Sequence, residues 1–161
     1  MLLFKTFLFT IIVPGTVTLW APLAIVPPDV WRAAAASGGW HMLGLIPIAV
    51  GVAIYMVCAS DFITVGRGTP APIDPPTALV VRGLYRFVRN PMYVGVVTLL
   101  VGETILVGAP SMAIYTVLVA TGFHAAVVLY EEPKLSRSFG DAYGAYRTAV
   151  PRWIPRLTPA K

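Results

Sequence analysis

The sequence predicts an all-α, polytopic membrane protein with about four transmembrane helices and a cytoplasmic amphipathic C-terminal helix. Of its 161 residues, 57% are hydrophobic and 12% are charged, and its mean hydropathy is +0.77. A soluble globular domain carries about 25% charged residues. The smaller charged fraction means that much of the outer surface faces something other than water, and the length suits a single domain.

Four apolar runs support this fold class, because each approaches the roughly 20 helical residues needed to cross a hydrocarbon core. The runs are Phe7–Val26, Met42–Ser60, Met92–Ala109 and Ser111–Tyr130. The dipeptide Pro14–Gly15 should kink the first run or divide it into two short helices. Because Pro110 alone separates the last two runs, they should form a tight antiparallel hairpin.

The positive charges predict how these helices are oriented. With four spans, the N-terminus, the loop at 61–91 and the tail after Tyr130 lie on one side, and eleven of the twelve lysines and arginines fall there. Arg32 is the exception. The positive-inside rule makes the basic side cytoplasmic. We therefore expect a protein of the inner, cytoplasmic membrane whose basic face is turned to the cytoplasm.

We expect one domain over residues 1–161, with N-terminal spans at 1–65 and a core at 66–161 that carries the candidate site. The segment Gly66–Pro76 is rich in glycine and proline and should not be helical. Leu79–Val88 is predicted to be a short amphipathic helix at the membrane surface. In the tail, apolar residues recur at helical spacing and should share one face of a helix that ends at Pro151. These residues are Leu135, Phe139, Tyr143, Tyr146 and Val150.

Arg89, Asn90 and Pro91 open the third run with residues that suit the binding of an anion. Asparagine is a good N-cap, and proline suits the first helical position. A helix N-terminus attracts anions through its free N–H groups and partial positive charge, and an adjacent arginine can clamp a carboxylate. The alternative is an ordinary helix start with an arginine that snorkels to lipid headgroups.

Glu131 and Glu132 are predicted to close the fourth run. Two acids there would oppose the helix dipole, which costs about 0.3–1 kcal/mol each. This cost favours a functional role, such as holding a cation or sugar hydroxyls, over a solvated helix end paired with Lys134 or Arg137. His124 lies on the same helical stripe as Glu131, and it is either a functional group or a histidine hydrogen-bonded within the bundle.

The remaining polar residues indicate less. Tyr93 and Gly95 follow the start of the third run, where ordinary helix packing explains them equally well. Glu103 lies toward the far end of that run and is assigned a packing or pairing role. Cys58 is the one cysteine and offers no metal-ligand spacing. We therefore expect no metal and, for a basic face at a membrane surface, no nucleic acid.

Taken in order, several motifs resemble the membrane methyltransferases of the isoprenylcysteine carboxyl methyltransferase and phospholipid methyltransferase superfamily. The motifs are Arg82–Gly95, a helical hairpin, Leu129–Leu135, Phe139–Tyr146 and Val150–Pro155, and the resemblance extends from Gly66 to Pro155. The arginine-histidine-proline-x-tyrosine-x-glycine motif of that family falls on Arg89, Asn90, Pro91, Tyr93 and Gly95. Its paired glutamates fall on Glu131 and Glu132. Asn90 replaces the histidine, as is usual in the phospholipid-methylating branch and in many bacterial members.

The resemblance implies S-adenosylmethionine as the cofactor, bound by the core at 66–161 near the cytoplasmic ends of the last two spans. Arg89 and Glu131 are expected to be catalytic. The residues expected to bind the cofactor are Asn90, Pro91, Tyr93, Gly95, Glu132, Tyr143 and Tyr146. Arg86 and Arg152 are expected to hold a phosphate or carboxylate of the methyl acceptor.

The resemblance also implies methyl transfer to a lipophilic or membrane-embedded acceptor, like that of isoprenylcysteine carboxyl methyltransferases. Phospholipid N-methylation and thiol S-methylation are alternatives within this class. A non-catalytic membrane scaffold that binds anionic lipid would explain the arginines but not the paired acids. A small transporter would require more polar residues near the bilayer centre.

Overall fold

The computed structural model describes residues 2–64 and 79–160, and every regular element in these ranges is helical. The helices are α1 Leu2–Gly15, α2 Ala21–Ile25, α3 Pro28–Ser37, α4 Leu45–Thr64, α5 Pro91–Val107, α6 Pro110–Ala126 and α7 Glu132–Ala149. The 3-10 turns are Gly39–Gly44 and Gly83–Arg86, and the π turns are Thr16–Trp20 and Val127–Glu131.

Three continuous helices in the described part of the chain are long and apolar enough to cross a membrane. They are Thr6–Ile25, Gly39–Thr64 and Pro110–Ala149. The remaining predicted run, Met92–Ala109, corresponds to α5, which is apolar but has 17 residues, at the short end of the range for a transmembrane helix. Many large apolar side chains on these helices are exposed, as lipid contact requires. The prediction of an all-α polytopic membrane protein is confirmed.

Each π turn is followed by a proline that a regular α-helix would not accommodate. Pro22 follows the turn at 16–20, and Pro133 follows the turn at 127–131. In a regular helix, a proline lacks one N–H donor, and its ring clashes with the carbonyl four residues earlier. Because a π turn is wider, it relieves this conflict and lets the chain continue as a helix.

One alternative left open by the sequence is decided, and one prediction changes. The first run, predicted to be kinked or divided near Pro14, is one continuous helix with Pro14 inside it. Glu131 and Glu132 do not close the fourth run, because α6 continues through the π turn into α7. The unfavourable interaction with a helix dipole that was predicted for these two acids is therefore absent. Glu132 instead lies in the first turn of α7, where an acidic residue is favourable.

Two pairs of glycines bring α4 and α5 into backbone contact. A Cβ atom on Gly44 would lie 2.4 Å from the main-chain oxygen of Gly102, and one on Gly51 would lie 2.5 Å from that of Gly95. Gly44 ends the 3-10 turn that continues directly into α4. Gly44 and Gly51, like Gly95 and Gly102, are about two helical turns apart, so each pair lies on one face. This contact fixes the position of α5 along α4, and hence the height at which α5 begins.

The hairpin of α5 and α6 is as tight as predicted. Gly108 ends α5 in the left-handed conformation with φ of 67°, and Pro110 begins α6. The hydroxyls of Thr104 and Thr116 are hydrogen-bonded across the hairpin at 2.9 Å. This bond ties α5 and α6 together near the turn at Gly108. The opposite ends of the two helices, at the start of α5 and the end of α6, form the candidate site.

Between the first two spans the chain forms α3, which the sequence analysis treated as a loop. Its signals are recognisable afterwards: Pro28 at the first position, Asp29 in the first turn and a run of four alanines. Gly38, with φ of 59°, follows its last residue. The sequence prediction considered runs long enough to cross a membrane, and this helix, with 10 residues, is too short for that.

The helix predicted at Leu79–Val88 is wrong, because the structure has only the 3-10 turn at Gly83–Arg86 there. Gly83 has φ of 53°, a left-handed conformation that interrupts a regular α-helix. It also lies against Asp61, whose Oδ2 would be 2.6 Å from a Cβ atom at this position. The predicted non-helical segment Gly66–Pro76 lies outside the described residues.

The apolar residues predicted for α7 pack together, but they do not share one regular helix, because α7 is kinked at Gly140, whose φ is 50°. The buried residues of α7 form a cluster with neighbouring apolar side chains: Tyr143, Tyr146, Val150 and Ala160, with Leu79, Leu135 and Phe139 packed against them. The helix ends at Ala149, two residues before Pro151. This cluster packs α7 against Leu79, which precedes the candidate site in the chain, and against Ala160, which follows it.

After α7, the segment at 151–160 is hydrogen-bonded to the segment at 86–89 that leads into α5. The amide of Arg89 donates to the carbonyl of Pro151 at 2.9 Å. The amide of Arg156 donates to the carbonyl of Phe87 at 3.0 Å, and the amide of Ala160 donates to the carbonyl of Arg86 at 2.9 Å. The C-terminal segment therefore supports the loop from which α5 starts.

We expect Gly51→Ala to destabilise the protein by about 1–3 kcal/mol, since the new methyl group would overlap the α5 backbone. The matched control is Gly144→Ala on α7, where a Cβ atom meets nothing within 4 Å. The control should be neutral or stabilising by about 0.5–1 kcal/mol, because alanine favours a helix. Thermal unfolding in detergent measures both, and equal midpoints for the two variants would contradict the backbone contact.

Candidate functional site

The start of α5 and the junction of α6 with α7 lie side by side. Arg89, two residues before α5, donates from Nη1 to Oε1 of Glu132 at 2.8 Å. In the first turn of α5, the hydroxyl of Tyr93 donates to Oε1 of Glu131. The structure therefore brings the two predicted halves of the site together at one end of the bundle.

Glu132 is shared by two arginines. Arg152 donates from Nε to Oε1 at 2.7 Å and from Nη2 to Oε2 at 3.0 Å, and Arg89 donates from Nη1 to the same Oε1 at 2.8 Å. Burial by itself raises the pKa of the Glu132 carboxyl, but the hydrogen bond from Arg152 and the charge of Arg89 hold that pKa below its usual range. Glu132 is therefore an ionised carboxylate whose two oxygens are already occupied.

Glu131 is in a different position, although it is the neighbouring residue. Among the described residues, the hydroxyl of Tyr93 is its one hydrogen-bond partner. Its side chain is partly exposed, whereas Glu132 is buried. Glu131 therefore keeps hydrogen-bonding capacity for a bound molecule, and Glu132 does not.

Arg89 also has an unused donor. Its side chain is 10% exposed, and its Nε is buried without a hydrogen-bond partner among the described residues. A buried donor without an acceptor is unfavourable, and such an atom calls for an explanation by a ligand or water. Arg89 precedes the N-terminus of α5, whose dipole also favours negative charge. Arg89 and the N-terminus of α5 together suit an anionic group.

Asn90 does not cap α5 with its side chain, contrary to the sequence prediction. Its Nδ2 instead donates to the main-chain oxygen of Arg152 at 3.1 Å. The reason is the C-terminal segment, which lies beside the helix start and offers this carbonyl. Pro91 begins α5 as predicted and is fully buried. Asn90 thus holds the main chain of Arg152, while Glu132 holds the Arg152 side chain.

Tyr143 and Tyr146 were predicted to cover the cofactor, and the structure buries both rings in the apolar cluster of α7. The Tyr146 hydroxyl donates to the carbonyl of Tyr85 at 2.8 Å. Burial raises the pKa of both phenols, so both are neutral. Gly95 faces α4 rather than the glutamates. These three residues therefore support the site by packing, and direct contact with a cofactor remains a prediction for each.

Arg86 and Arg152, predicted to hold the acceptor, are both engaged within the protein. Arg86 donates from Nε to the carbonyl of Ala160 at 2.7 Å, and Arg152 is bound to Glu132. Both contacts tie the C-terminal segment to the site. A role in acceptor binding remains a prediction for each arginine.

The structure places three further aromatic side chains beside the predicted site: Phe123, His124 and Trp153. The ring of Phe123 lies 4.5 Å from that of Tyr93 between centroids, and the indole N–H of Trp153 donates to Nδ1 of His124 at 3.0 Å. His124 was noted by its spacing from Glu131, whereas Trp153 was included only within the motif Val150–Pro155. Their contact depends on the return of the C-terminal segment, for which the sequence contains no local signal.

Comparison with known protein sequences identifies relatives of this chain. The sequence model of the phospholipid methyltransferase family matches residues 40–142, which include both Arg89 and the paired glutamates. The protein-S-isoprenylcysteine O-methyltransferase of Schizosaccharomyces pombe is 38% identical over 79 residues, which are 49% of this chain and 34% of that protein. Protein-S-isoprenylcysteine O-methyltransferase A of Arabidopsis thaliana is 33% identical over 116 residues, which are 70% of this chain and 57% of that protein.

The chain thus spans about a third to somewhat more than half of the length of these curated relatives. No solved structure matches it at a significant level.

We expect Glu132→Gln to destabilise the protein by about 2–3 kcal/mol, because it leaves Arg89 and Arg152 without their shared counter-charge. The partial exposure of Arg152 keeps the loss below that of a fully buried pair. Glu131→Gln is the matched control and should change the free energy of unfolding by less than about 1 kcal/mol. Thermal or denaturant unfolding in detergent compares them, and an equal loss in both would contradict the assigned roles.

The same carboxylate should make stability depend on acid. The folded-state pKa of Glu132 is lower than its unfolded value, so its contribution is complete above the unfolded pKa, about 4.3, and is lost as pH falls through the folded pKa. We expect the unaltered protein to lose more stability than Glu132→Gln does when pH falls from neutral to below about 4. Parallel pH profiles for the two proteins would rule out this contribution.

Proposed function

Because this chain belongs to the phospholipid methyltransferase family, we propose that it transfers a methyl group from S-adenosylmethionine to a lipophilic or membrane-embedded acceptor. The reaction would resemble that named for its isoprenylcysteine O-methyltransferase relatives. The observation that carries this proposal is the contact between the start of α5 and the paired glutamates. That contact joins an unused buried cationic donor, a helix N-terminus and a partly exposed carboxylate.

The residues present fit this cofactor. S-adenosylmethionine carries a carboxylate, an ammonium group and ribose hydroxyls, and its sulfonium supplies an activated methyl group for direct displacement by a nucleophile. The orphaned Nε of Arg89 and the N-terminus of α5 suit the carboxylate. Glu131 suits the ammonium group or the ribose hydroxyls, because it has one internal partner and remains partly exposed.

The other predicted residues would act by positioning. Glu132 holds Arg89 and Arg152, and these two contacts fix the donor of Arg89 at the helix start. Asn90 fixes the same segment through the carbonyl of Arg152. Holding two reactants in line supplies most of the catalysis in a direct displacement, so a rigid support of this kind is what the reaction requires.

Tyr93 would contribute an aromatic wall. Its hydroxyl is bound to Glu131, and its ring lies against Phe123. Aromatic faces attract cations such as a sulfonium. The tyrosine thereby orients the carboxylate and borders the space in which a bound molecule would lie.

A phospholipid amine is the second candidate acceptor. Two points support it: the matching family is named for phospholipids, and asparagine stands at position 90, where the motif of the resemblance has histidine. The charge distribution supports a location in the inner membrane with the site facing the cytoplasm, because nearly all lysines and arginines lie on the site's side of the predicted topology.

Equilibrium binding of S-adenosylmethionine to the purified, detergent-solubilised chain tests the proposal. Glu131→Gln should weaken binding by about tenfold or more, because it removes a charged hydrogen-bond acceptor. The control is Arg137→Gln on the exposed side of α7, which should bind as the unaltered chain does. A protein that binds anionic lipid vesicles but not the cofactor would be a membrane scaffold, and that result would overturn the methyltransferase proposal.

A further inference from the structure

A groove within the membrane-spanning part of the bundle lies between the first span, α4 and α5. Its volume is about 330 Å³, at the low end of the range for small-molecule sites. Along the first span it extends from Thr10 to Trp20, which is about 15 Å of helix. None of the residues assigned to the candidate site lines it. Its walls are mostly apolar, and they include Ile11, Leu19, Val52, Met56, Val96 and Leu99.

Three hydroxyls line this groove, and each donates its single proton within the protein. Thr18 donates to the carbonyl of Pro14 at 2.8 Å. Thr10 donates to the carbonyl of Thr6, also at 2.8 Å, and its oxygen lies 2.8 Å from the hydroxyl of Tyr55. Because Thr10 has already given its proton to a carbonyl, which can only accept, Tyr55 must be the donor between the two hydroxyls. These three hydroxyls therefore offer a ligand acceptors and no free proton.

A free donor lies one helical turn away. Thr6 is 4% exposed, and its hydroxyl has no hydrogen-bond partner among the described residues. Thr6 and Thr10 are four residues apart, so they share one face of the helix. A buried donor without an acceptor is unfavourable and calls for a ligand or a water molecule. A group bound at this end of the groove should therefore both donate to Thr10 or Tyr55 and accept from Thr6.

We propose that this groove binds a single-chain lipid alcohol, with its hydroxyl at Thr10 and Tyr55 and its apolar chain directed toward Trp20. A hydroxyl can donate and accept, whereas the oxygens of esters and ethers can only accept. The small volume suits one chain better than two. The first span begins at Thr6, so Thr10 lies about one turn inside the hydrocarbon region. A lipid hydroxyl near the membrane surface reaches that depth while its chain extends inward.

The occupant would also join the first span to the rest of the bundle. The chain of the alcohol would fill the space between the first span and the facing residues of α4 and α5. A molecule that binds the folded state raises its stability in proportion to the logarithm of ligand concentration. Binding should therefore increase the unfolding temperature, and it should do so whether or not S-adenosylmethionine is bound at the candidate site.

The test uses the full chain in nanodiscs of phosphatidylcholine, a lipid without a hydrogen-bond donor. The probe is 1-dodecanol carrying a photoactivatable diazirine on its chain, and the comparison is the methyl ether of the same molecule. Mass spectrometry locates the labelled residues. We expect the alcohol to label the first span and α4 at the groove, half-maximally at a concentration about tenfold or more below that of the ether.

Two variants test the hydrogen bonds. Thr10→Val combined with Tyr55→Phe removes both oxygens, so it should weaken labelling by the alcohol about tenfold or more and leave the ether unchanged. Thr10→Val alone frees the proton of Tyr55, so the ether should label severalfold better than in the unaltered chain. A loss of packing would not produce that gain.

Two further variants separate the groove from other surfaces. Val52→Trp should fill the groove and reduce labelling there by both molecules. The matched control is Thr64→Val on α4, because its hydroxyl donates to the carbonyl of Ser60 at 2.8 Å and lies outside the groove. This control should be labelled as the unaltered chain is.

Equal half-maximal concentrations for the alcohol and the ether in the unaltered chain would overturn the proposal, as would labelling confined to surfaces outside the groove. Unchanged labelling by the alcohol in the double variant would also overturn it, since the two hydroxyls would then hold water only. If the double variant does not fold, the gain of the ether in Thr10→Val decides: its absence contradicts the assigned direction of the hydrogen bond and with it the proposal.

Discussion

The contact of Glu132 with Arg89 and Arg152 joins the parts of the chain that form the candidate site. Arg89 precedes α5, Glu132 begins α7, and Arg152 follows α7. A buried carboxylate is unfavourable by several kcal/mol unless charged partners surround it, so the three side chains stabilise one another only when these segments meet. The same contact places Glu131, the next residue, toward Tyr93. One glutamate therefore maintains the structure, while its neighbour remains available to a ligand.

The membrane helices supply the fixed frame for this contact. The glycine pairs between α4 and α5 exclude side chains, so α5 can slide little along α4. Its start, and with it Arg89, is held at a defined height. On the other side, the π turn lets α6 continue past Pro133 into α7, which carries the two glutamates outward from the apolar segment. A regular helix would have ended there and directed the chain elsewhere.

Much of this arrangement could be predicted, because it depends on local patterns. Hydropathy identified the four runs, helical spacing identified the buried residues of α7, and the order of motifs indicated that Arg89 and the glutamates belong together. The partners of Asn90, Arg86 and Arg152 could not be predicted, because each bonds to a group more than 15 residues away whose position depends on how the C-terminal segment returns. The two π turns were missed, because a proline within a run was expected to kink or end the helix and not to follow a π turn that lets the helix continue past Pro22 and Pro133.

The central claim is that the start of α5 and the junction of α6 with α7 together hold S-adenosylmethionine. The most direct measurement is an experimental structure of the purified chain with this molecule bound. The account predicts a carboxylate within hydrogen-bonding distance of Arg89 Nε, and an ammonium group or ribose hydroxyl at Glu131, with Glu132 still bound to its two arginines. Density for the molecule elsewhere on the chain, with Arg89 and Glu131 untouched, would contradict it.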